Sequence, residues 1–298
     1  MERWPDFFIV GAPRAGTTTL YHWLRGHPDI FMPGVKEPHF FTQIEPALAA
    51  RWASVIGRPI SDETEYLSLF RQAGEGQLIG EATPYYLWHP KAPQRIREKS
   101  PQARIIAILR EPADRAYSHY LLYLETGWEK RSFERAVRED YGLPRRDMGT
   151  SLLYVDLGLY HDQVSRYLET FGPEQVRVYL YEDLSRPREL MQDVCAFLGI
   201  PFHDGRFFDP RERYNVYIPR PWLLRLWSSS HRLRYLALSL LPQRLAEVAR
   251  TRLTRKLEAP DKPPPDPRGL RFVRDVCRDD VLRLQRLIRR DLGHWLDP

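Results

Sequence analysis

Short apolar runs and helical stripes alternate along this chain. Phe7 to Leu24 (FFIVGAPRAGTTTLYHWL) reads as an apolar strand, a turn bearing Gly11, Pro13 and Gly16, and a helix opened by three threonines. Gln77 to Thr83 (QLIGEAT), Arg104 to Leu109 (RIIAIL) and Val176 to Tyr181 (VRVYLY) repeat the strand signature. Between them lie helical patterns. One starts at Glu111-Pro112, Asp156 to Phe171 places Tyr160, Val164, Tyr167 and Leu168 on one face, and another runs from about Pro187 to Leu198. Glu45 to Ala73 reads as mostly helical and surface-like, with Tyr66, Leu67 and Phe70 at helical spacing. A last helix spans Leu270 to Leu292, with Val273, Val276, Leu282, Leu284 and Leu287 as packing residues. This rhythm predicts right-handed crossovers, hence an α/β fold with a parallel β-sheet of about four to five strands flanked by helices and a helical C-terminal cap.

The pattern changes at Arg206. Residues Arg206 to Pro221 are rich in Arg, aromatics and Pro, and Trp222 to Leu257 interleaves Trp222, Leu223, Leu226, Trp227, Tyr235, Leu236 and Leu240 with many arginines. Three readings stand: peripheral membrane contact through 219–257, a lid over an acceptor, or a helical cap whose arginines face water. A Pro-rich linker, 259–267, leads into the last helix. The expected organisation is one domain over 1–298, with 206–257 as an acceptor-side cap or lid and 268–292 as the C-terminal helix.

Composition narrows the function classes. At 298 residues and 43% hydrophobic content the chain can bury a sizeable core. A net charge of +6 suits anionic ligands but is diffuse, and does not imply nucleic acid. Cys195 and Cys277 both fall inside helical patterns, which argues against a disulfide framework and against a metal cluster built from them. The apolar strand begins at Phe7, leaving no room for a signal peptide, and no run of about 18 apolar residues exists. The expectation is a soluble, cytoplasmic protein.

The candidate chemistry starts in the first turn. Gly11 and Gly16 permit a backbone that turns N–H groups inward, and the helix near Thr17 adds its dipole, so the loop expects an anion. It is P-loop-like. A Walker A loop requires Lys where Thr17 stands, however, and the only cation of the loop is Arg14. Lys36-Glu37-Pro38-His39-Phe40-Phe41 sets a carboxylate and an imidazole two residues apart. In an extended backbone, which Pro38 favours for Glu37, both face the same side. An ordinary polar loop with two core aromatics fits that spacing as well. Glu81 ends a strand where ligands bind in α/β folds, and a solvated strand end fits too. Arg110 follows a buried strand at the same edge and reads as a phosphate clamp, with Arg115, Ser118 and His119 on the next helix; Ser118 lies two helical turns beyond Arg110.

With these pieces in order the chain resembles the sulfotransferases that use 3′-phosphoadenosine 5′-phosphosulfate (PAPS), in the branch similar to heparan sulfate sulfotransferases. The resemblance implies that Arg14, Ala15, Gly16, Thr17 and Thr18 hold the 5′-phosphosulfate and that Arg110 and Ser118 hold the 3′-phosphate, with Tyr217 and Lys262 as late cofactor contacts. It implies Glu37 as general base, its pKa raised by burial beside Phe40 and Phe41, with His39 and Arg14 as further catalytic residues. Glu37, Glu81, Thr83 and Tyr85 would form the acceptor side, and no metal would be needed. Two departures stand out: Ala82 where relatives often carry lysine, and Arg14 where many have a catalytic lysine. The implied reaction is sulfo transfer to a hydroxyl, or an amine, of a carbohydrate, glycolipid or small molecule. The rivals are a P-loop kinase and a non-catalytic sulfotransferase-like module that binds anions or glycans.

Overall fold

A computed structural model describes residues 3–45, 47–49, 58–204 and 264–296. Tyr217, Lys262, the stretch 206–257 and residues 259–263 of the linker lie outside the described residues.

Five parallel strands form one sheet: β1 (Phe7–Gly11), β2 (Ile30–Phe31), β3 (Leu78–Ala82), β4 (Arg104–Leu109) and β5 (Val176–Leu180), in the order β2-β3-β1-β4-β5. The apolar runs form these strands because both faces of the sheet are covered. Phe7, Phe8, Ile9 and Val10 are fully buried, as are Ile105, Ile106, Ile108 and Leu109. The chain leaves β1 and builds toward β3 and β2 on one side, then crosses back to place β4 and β5 on the other. The carboxyl end of β1 is therefore the switch point of the topology, where a crevice opens between diverging loops.

Helices α1 (Thr17–Arg25), α2 (Glu63–Ser68), α3 (Ala92–Lys99), α4 (Pro112–Thr126), α5 (Phe133–Tyr141), α6 (Tyr160–Phe171), α7 (Pro187–Leu198) and α8 (Pro267–Ile288) cover the sheet. Pro near the first turn starts several of them, and Glu111 caps α4 by accepting from Asp114 N–H at 2.5 Å. Helix α8 packs on α4, α5 and α6. Its buried stripe is Val273, Cys277, Val281 and Leu284, and Arg274 pairs with Glu111 at 3.2 Å. Gly269 lets α8 approach α5, since a Cβ there would lie 2.6 Å from Phe133. Both cysteines are free and buried, in α7 and α8.

Three expectations change. Among the described residues of 45–73, helix is confined to 47–49 and to α2, and Tyr66, Leu67 and Phe70 are core rather than surface. The last helix runs Pro267–Ile288, so it begins inside the expected linker and stops short of Leu292. Leu282, expected as a packing residue, does not share its buried stripe, because its neighbour Val281 takes the core position. Among the described residues, no helix is long and apolar enough to cross a membrane.

Candidate active site

The turn after β1 takes its shape from two glycines. Gly16 adopts φ +93°, and a Cβ there would lie 2.3 Å from Leu184 Cδ1; a Cβ on Gly11 would lie 2.4 Å from Leu87 Cβ. Gly16 is also the N-cap of α1. No side chain caps that end, so the first amides of the helix, beside buried Ala15 and Thr17 and half-buried Thr18, face the crevice with their dipole. Arg14 sits in the same turn with φ 68°, a left-handed angle that costs free energy for a residue with a side chain.

From β4 and α4 come the partners of that turn. Arg14 Nε donates to Ser118 Oγ at 3.1 Å, and Arg110 Nη1 donates to the Arg14 carbonyl at 3.4 Å. The Arg110 guanidinium lies 4.5 Å from the centroid of the Tyr181 ring, and its buried Nε has no hydrogen-bond partner. Arg14, Arg110 and Ser118, expected from separate signatures, thus meet as one cluster. An unsatisfied guanidinium N–H beside an uncapped helix start fits a phosphate-bearing ligand.

Opposite this cluster stands the Lys36 to Phe41 segment, and its backbone is not what Pro38 predicts. Glu37 and His39 both take left-handed angles, φ 62° and 57°. The end of β3 imposes them: Glu37 N–H donates to the Ala82 carbonyl at 3.0 Å, and His39 N–H donates to Thr83 Oγ1 at 3.4 Å. The two side chains still converge, with His39 Nε2 3.9 Å from Glu37 Oε2. Glu37 also pairs with Lys36. Burial acts to raise its pKa, yet Lys36, His39 and Arg14 outweigh it and hold the carboxyl below its usual value. The expected upward shift is therefore corrected. Phe40 and Phe41 pack instead on Trp4 and Tyr66. His39 is fully buried with neither ring nitrogen bonded, and burial lowers its pKa to about 4, so it is neutral at pH 7.

Glu81 and Thr83 stand behind this segment rather than on its open side. Both are wholly buried. Glu81 accepts from Thr83 Oγ1 at 2.7 Å, Tyr86 Oη at 2.8 Å and Tyr66 Oη at 3.1 Å. Burial, partly offset by those three bonds, raises its pKa to about 7. Through Thr83 it reaches His39, and through Tyr86, which accepts from Phe41 N–H at 3.3 Å, it reaches the far end of the same loop. With its oxygens engaged by three hydroxyls, Glu81 organises the loop, and neither it nor Thr83 lines an open face as the acceptor-side reading expected. Tyr85 is nearly buried and packs its ring on His39, centroids 5.6 Å apart.

Sequence reasoning missed Tyr66 and Tyr86 as anchors of Glu81. Tyr86 followed a quoted motif, but nothing local connects Tyr66 to it. Arg115 and His119, read as projecting from α4, are buried. One metal-capable group occurs among the described residues, His27, Asp29 and His203. It lies past the far end of α1, and both His27 nitrogens are occupied by backbone, Asp29 N–H at 3.2 Å and the Pro201 carbonyl at 3.0 Å.

Comparison with known proteins agrees with this geometry. A family model described as "Sulfotransferase domain" matches residues 4–215. Human heparan sulfate glucosamine 3-O-sulfotransferase 6 is 35% identical over 201 residues, covering 67% of this chain and 53% of the relative. Mouse carbohydrate sulfotransferase 15 is 27% identical over 248 residues, covering 66% and 44%. The chain spans about half the length of the curated relatives it matches. A crystal structure of a sulfotransferase from Alicyclobacillus acidocaldarius superposes with a TM-score of 0.69 at 29% identity, covering 98% of this chain and 99% of that one. A family match across the strands, the glycine turn and the segment from Arg110 to Ser118, with a solved relative of similar fold at 29% identity, shows that this protein belongs to the sulfotransferase family.

Proposed function

We propose that this protein transfers the sulfo group of PAPS to a hydroxyl of a carbohydrate acceptor. The observation that carries the reading is the Arg14–Ser118–Arg110 cluster, tied by 3.1 Å and 3.4 Å contacts at the uncapped start of α1, with Glu37 and His39 across the crevice. The names of the relatives support carbohydrate as acceptor class.

PAPS supplies an activated sulfo group and, in adenosine 3′,5′-bisphosphate, its leaving group. The residues of this chain do the rest. Arg110 and Ser118 hold the 3′-phosphate, while Arg14, Thr17, Thr18 and the α1 amides face the 5′-phosphosulfate. Glu37, ionised at neutral pH, takes the proton of the attacking hydroxyl as its oxygen bonds to sulfur. The bond from sulfur to the bridging oxygen breaks, its electron pair stays on that oxygen, and Arg14 stabilises the charge. Arg14 acts there as a fixed cation and not as an acid, because a guanidinium keeps its proton. Neutral His39 offers one donor and one acceptor to orient the acceptor. Ala82, where relatives often carry lysine, leaves this chain without a cation at that point of the acceptor side.

The test is twofold. Calorimetry should detect binding of adenosine 3′,5′-bisphosphate, and sulfur-labelled PAPS should label one of a panel of acceptors: desulfated heparan sulfate, a glycolipid and a simple phenol. Labelling of the polysaccharide supports the proposal, and labelling of the phenol alone refutes the carbohydrate class. Absence of bisphosphate binding, or Mg²⁺-dependent transfer from ATP, refutes the donor.

A further inference from the structure

Next to the site lies a buried cation whose bonding partners among the described residues include no carboxylate. Arg115 is fully buried, and its partners among the described residues are the Tyr154 carbonyl and, at 3.3 Å, His119 Nδ1; its Nε is unpartnered. A guanidinium in such a place is costly unless its neighbours are arranged for it. The arrangement has one direction. Guanidinium nitrogens only donate, so His119 Nδ1 must accept, and the single proton of the neutral ring is then on Nε2. Burial and the nearby Arg115 and Arg14 charges keep that ring neutral.

His119 Nε2 lies 3.5 Å from Tyr85 Oη, which therefore accepts. Tyr123 also bonds the Tyr85 hydroxyl. His119 thus fixes the Tyr85 oxygen as an acceptor from one side, and the hydroxyl proton points to another. On that side its ring meets His39, and the charges of Glu37 and Arg14 act on its hydroxyl. The ring thus lies against His39, whose Nε2 is 3.9 Å from Glu37, and its hydroxyl meets His119, the neighbour in sequence of the Ser118 that takes Arg14 Nε.

We propose that Tyr85 is a catalytic hydrogen-bond donor to the sulfo group in transfer, and that Arg115 and His119 are positioning residues that fix the direction of that donor. The inference rests on the donor reading above. No proton leaves Tyr85: its hydroxyl donates to a sulfo oxygen as negative charge redistributes, while the acceptor proton goes to Glu37 as before. The arrangement gives one buried cation, one neutral imidazole and one phenol a joint task.

Tyr85→Phe should lower turnover of PAPS to adenosine 3′,5′-bisphosphate by roughly 10²- to 10³-fold, the usual loss for one donor to developing charge, with bisphosphate affinity within about twofold of wild type. His119→Leu should lose about as much, and the double variant no more than either single one, because both remove the same donor. His119→Gln should recover most of the loss, since its amide oxygen and nitrogen share one carbon as the two ring nitrogens do, accepting from Arg115 and donating to Tyr85. A merely structural histidine would not be rescued in turnover by an amide while failing with an apolar group of similar size. Independent of activity, ¹⁵N NMR of the wild-type protein should show His119 neutral with its proton on Nε2 at pH 7. Wild-type turnover in Tyr85→Phe overturns the proposal, as does equal turnover for His119→Gln and His119→Leu, or a proton on Nδ1. Failure of the wild type itself to bind the bisphosphate sinks the donor reading instead, and the tautomer then decides the geometry alone.

Discussion

Arg110 offers the sharpest test of donor recognition, because its environment allows the effect to be sized. Its side chain is 21% exposed, its Nε is unbonded, and its one ion pair among the described residues is with Asp114 at 3.9 Å. The guanidinium is held over Tyr181 and against the Arg14 carbonyl, so it is oriented before any ligand arrives. Removing it deletes a charge-assisted contact of about 1.5–3 kcal/mol, or roughly a 10- to 150-fold loss in affinity. That loss belongs to the 3′-phosphate alone. Calorimetry with adenosine 3′,5′-bisphosphate and with adenosine 5′-monophosphate, on wild type, Arg110→Ala and Ser118→Ala, separates the cases. The wild type should prefer the bisphosphate, Arg110→Ala should collapse that preference, and monophosphate affinity should stay within about twofold. Added salt should narrow the wild-type preference only partly, since the contact is mostly shielded from solvent. If Arg110→Ala weakens both ligands equally, Arg110 acts on the loop through the Arg14 carbonyl and the clamp assignment is wrong. If it weakens neither, the 3′-phosphate is held elsewhere.

The remaining predictions concern the base, the loop and the buried carboxyl. Glu37→Gln should cut turnover by roughly 10²-fold or more with bisphosphate affinity kept, and the acid limb of the wild-type rate should fall at or below the ordinary carboxylate range, because Lys36, His39 and Arg14 outweigh burial. Gly16→Ala should destabilise the fold by about 1–3 kcal/mol in urea denaturation and weaken bisphosphate binding, since alanine cannot take φ +93° against Leu184 without strain. Glu81 is raised to about 7, above its unfolded value near 4.5, so its favourable contribution is full below the unfolded value and lost as pH rises through 7. Ionising it in place costs on the order of 3 kcal/mol by linkage, and Glu81→Gln should flatten the stability change between pH 5 and 8 relative to wild type. Buried His39, lowered to about 4, pulls the other way below its unfolded value, and the comparison of the two proteins cancels it.

Four of the five strands were legible because a strand covered on both faces is a continuous apolar run. β2 was not, since the two residues Ile30–Phe31 are too few to form a pattern. Arg14, Glu37, His39, Arg110 and Ser118 were legible as identities at fixed places, and the switch-point topology brings them together. Their geometry was not. The rule that a residue before proline is extended describes local sterics, and at Glu37 it yields to two hydrogen bonds from the end of β3. Burial of polar groups was the other blind spot. Arg115 and His119 look like a solvated helix face because periodicity sees hydrophobicity and not the tyrosines that arrive from elsewhere, Tyr85 and Tyr154. Tyr66 likewise looked like one residue of a surface helix until Glu81 came to it across the fold.

Taken together, these groups make an electrostatic argument about Arg14. Lys36 and Arg14 act on one ionised carboxyl, Glu37, while Arg110 holds the Arg14 carbonyl and Arg115 is a further buried cation. The balance is positive, and it suits a ligand that carries several negative charges. It also makes Glu37 a weak base whenever those cations act on it unopposed. An anion set against Arg14 would oppose the pull of that cation on Glu37, and its own charge would push the carboxyl upward. Basicity would then rise with the donor in place and fall without it. A lysine at position 14 could exert the same pull, but a guanidinium can at once donate Nε to Ser118 and turn its remaining N–H groups toward a phosphate. On the proposed reading, an arginine at position 14 would keep the charge, add the fixed geometry of the Ser118 contact and tie the two ends of the donor through one side chain.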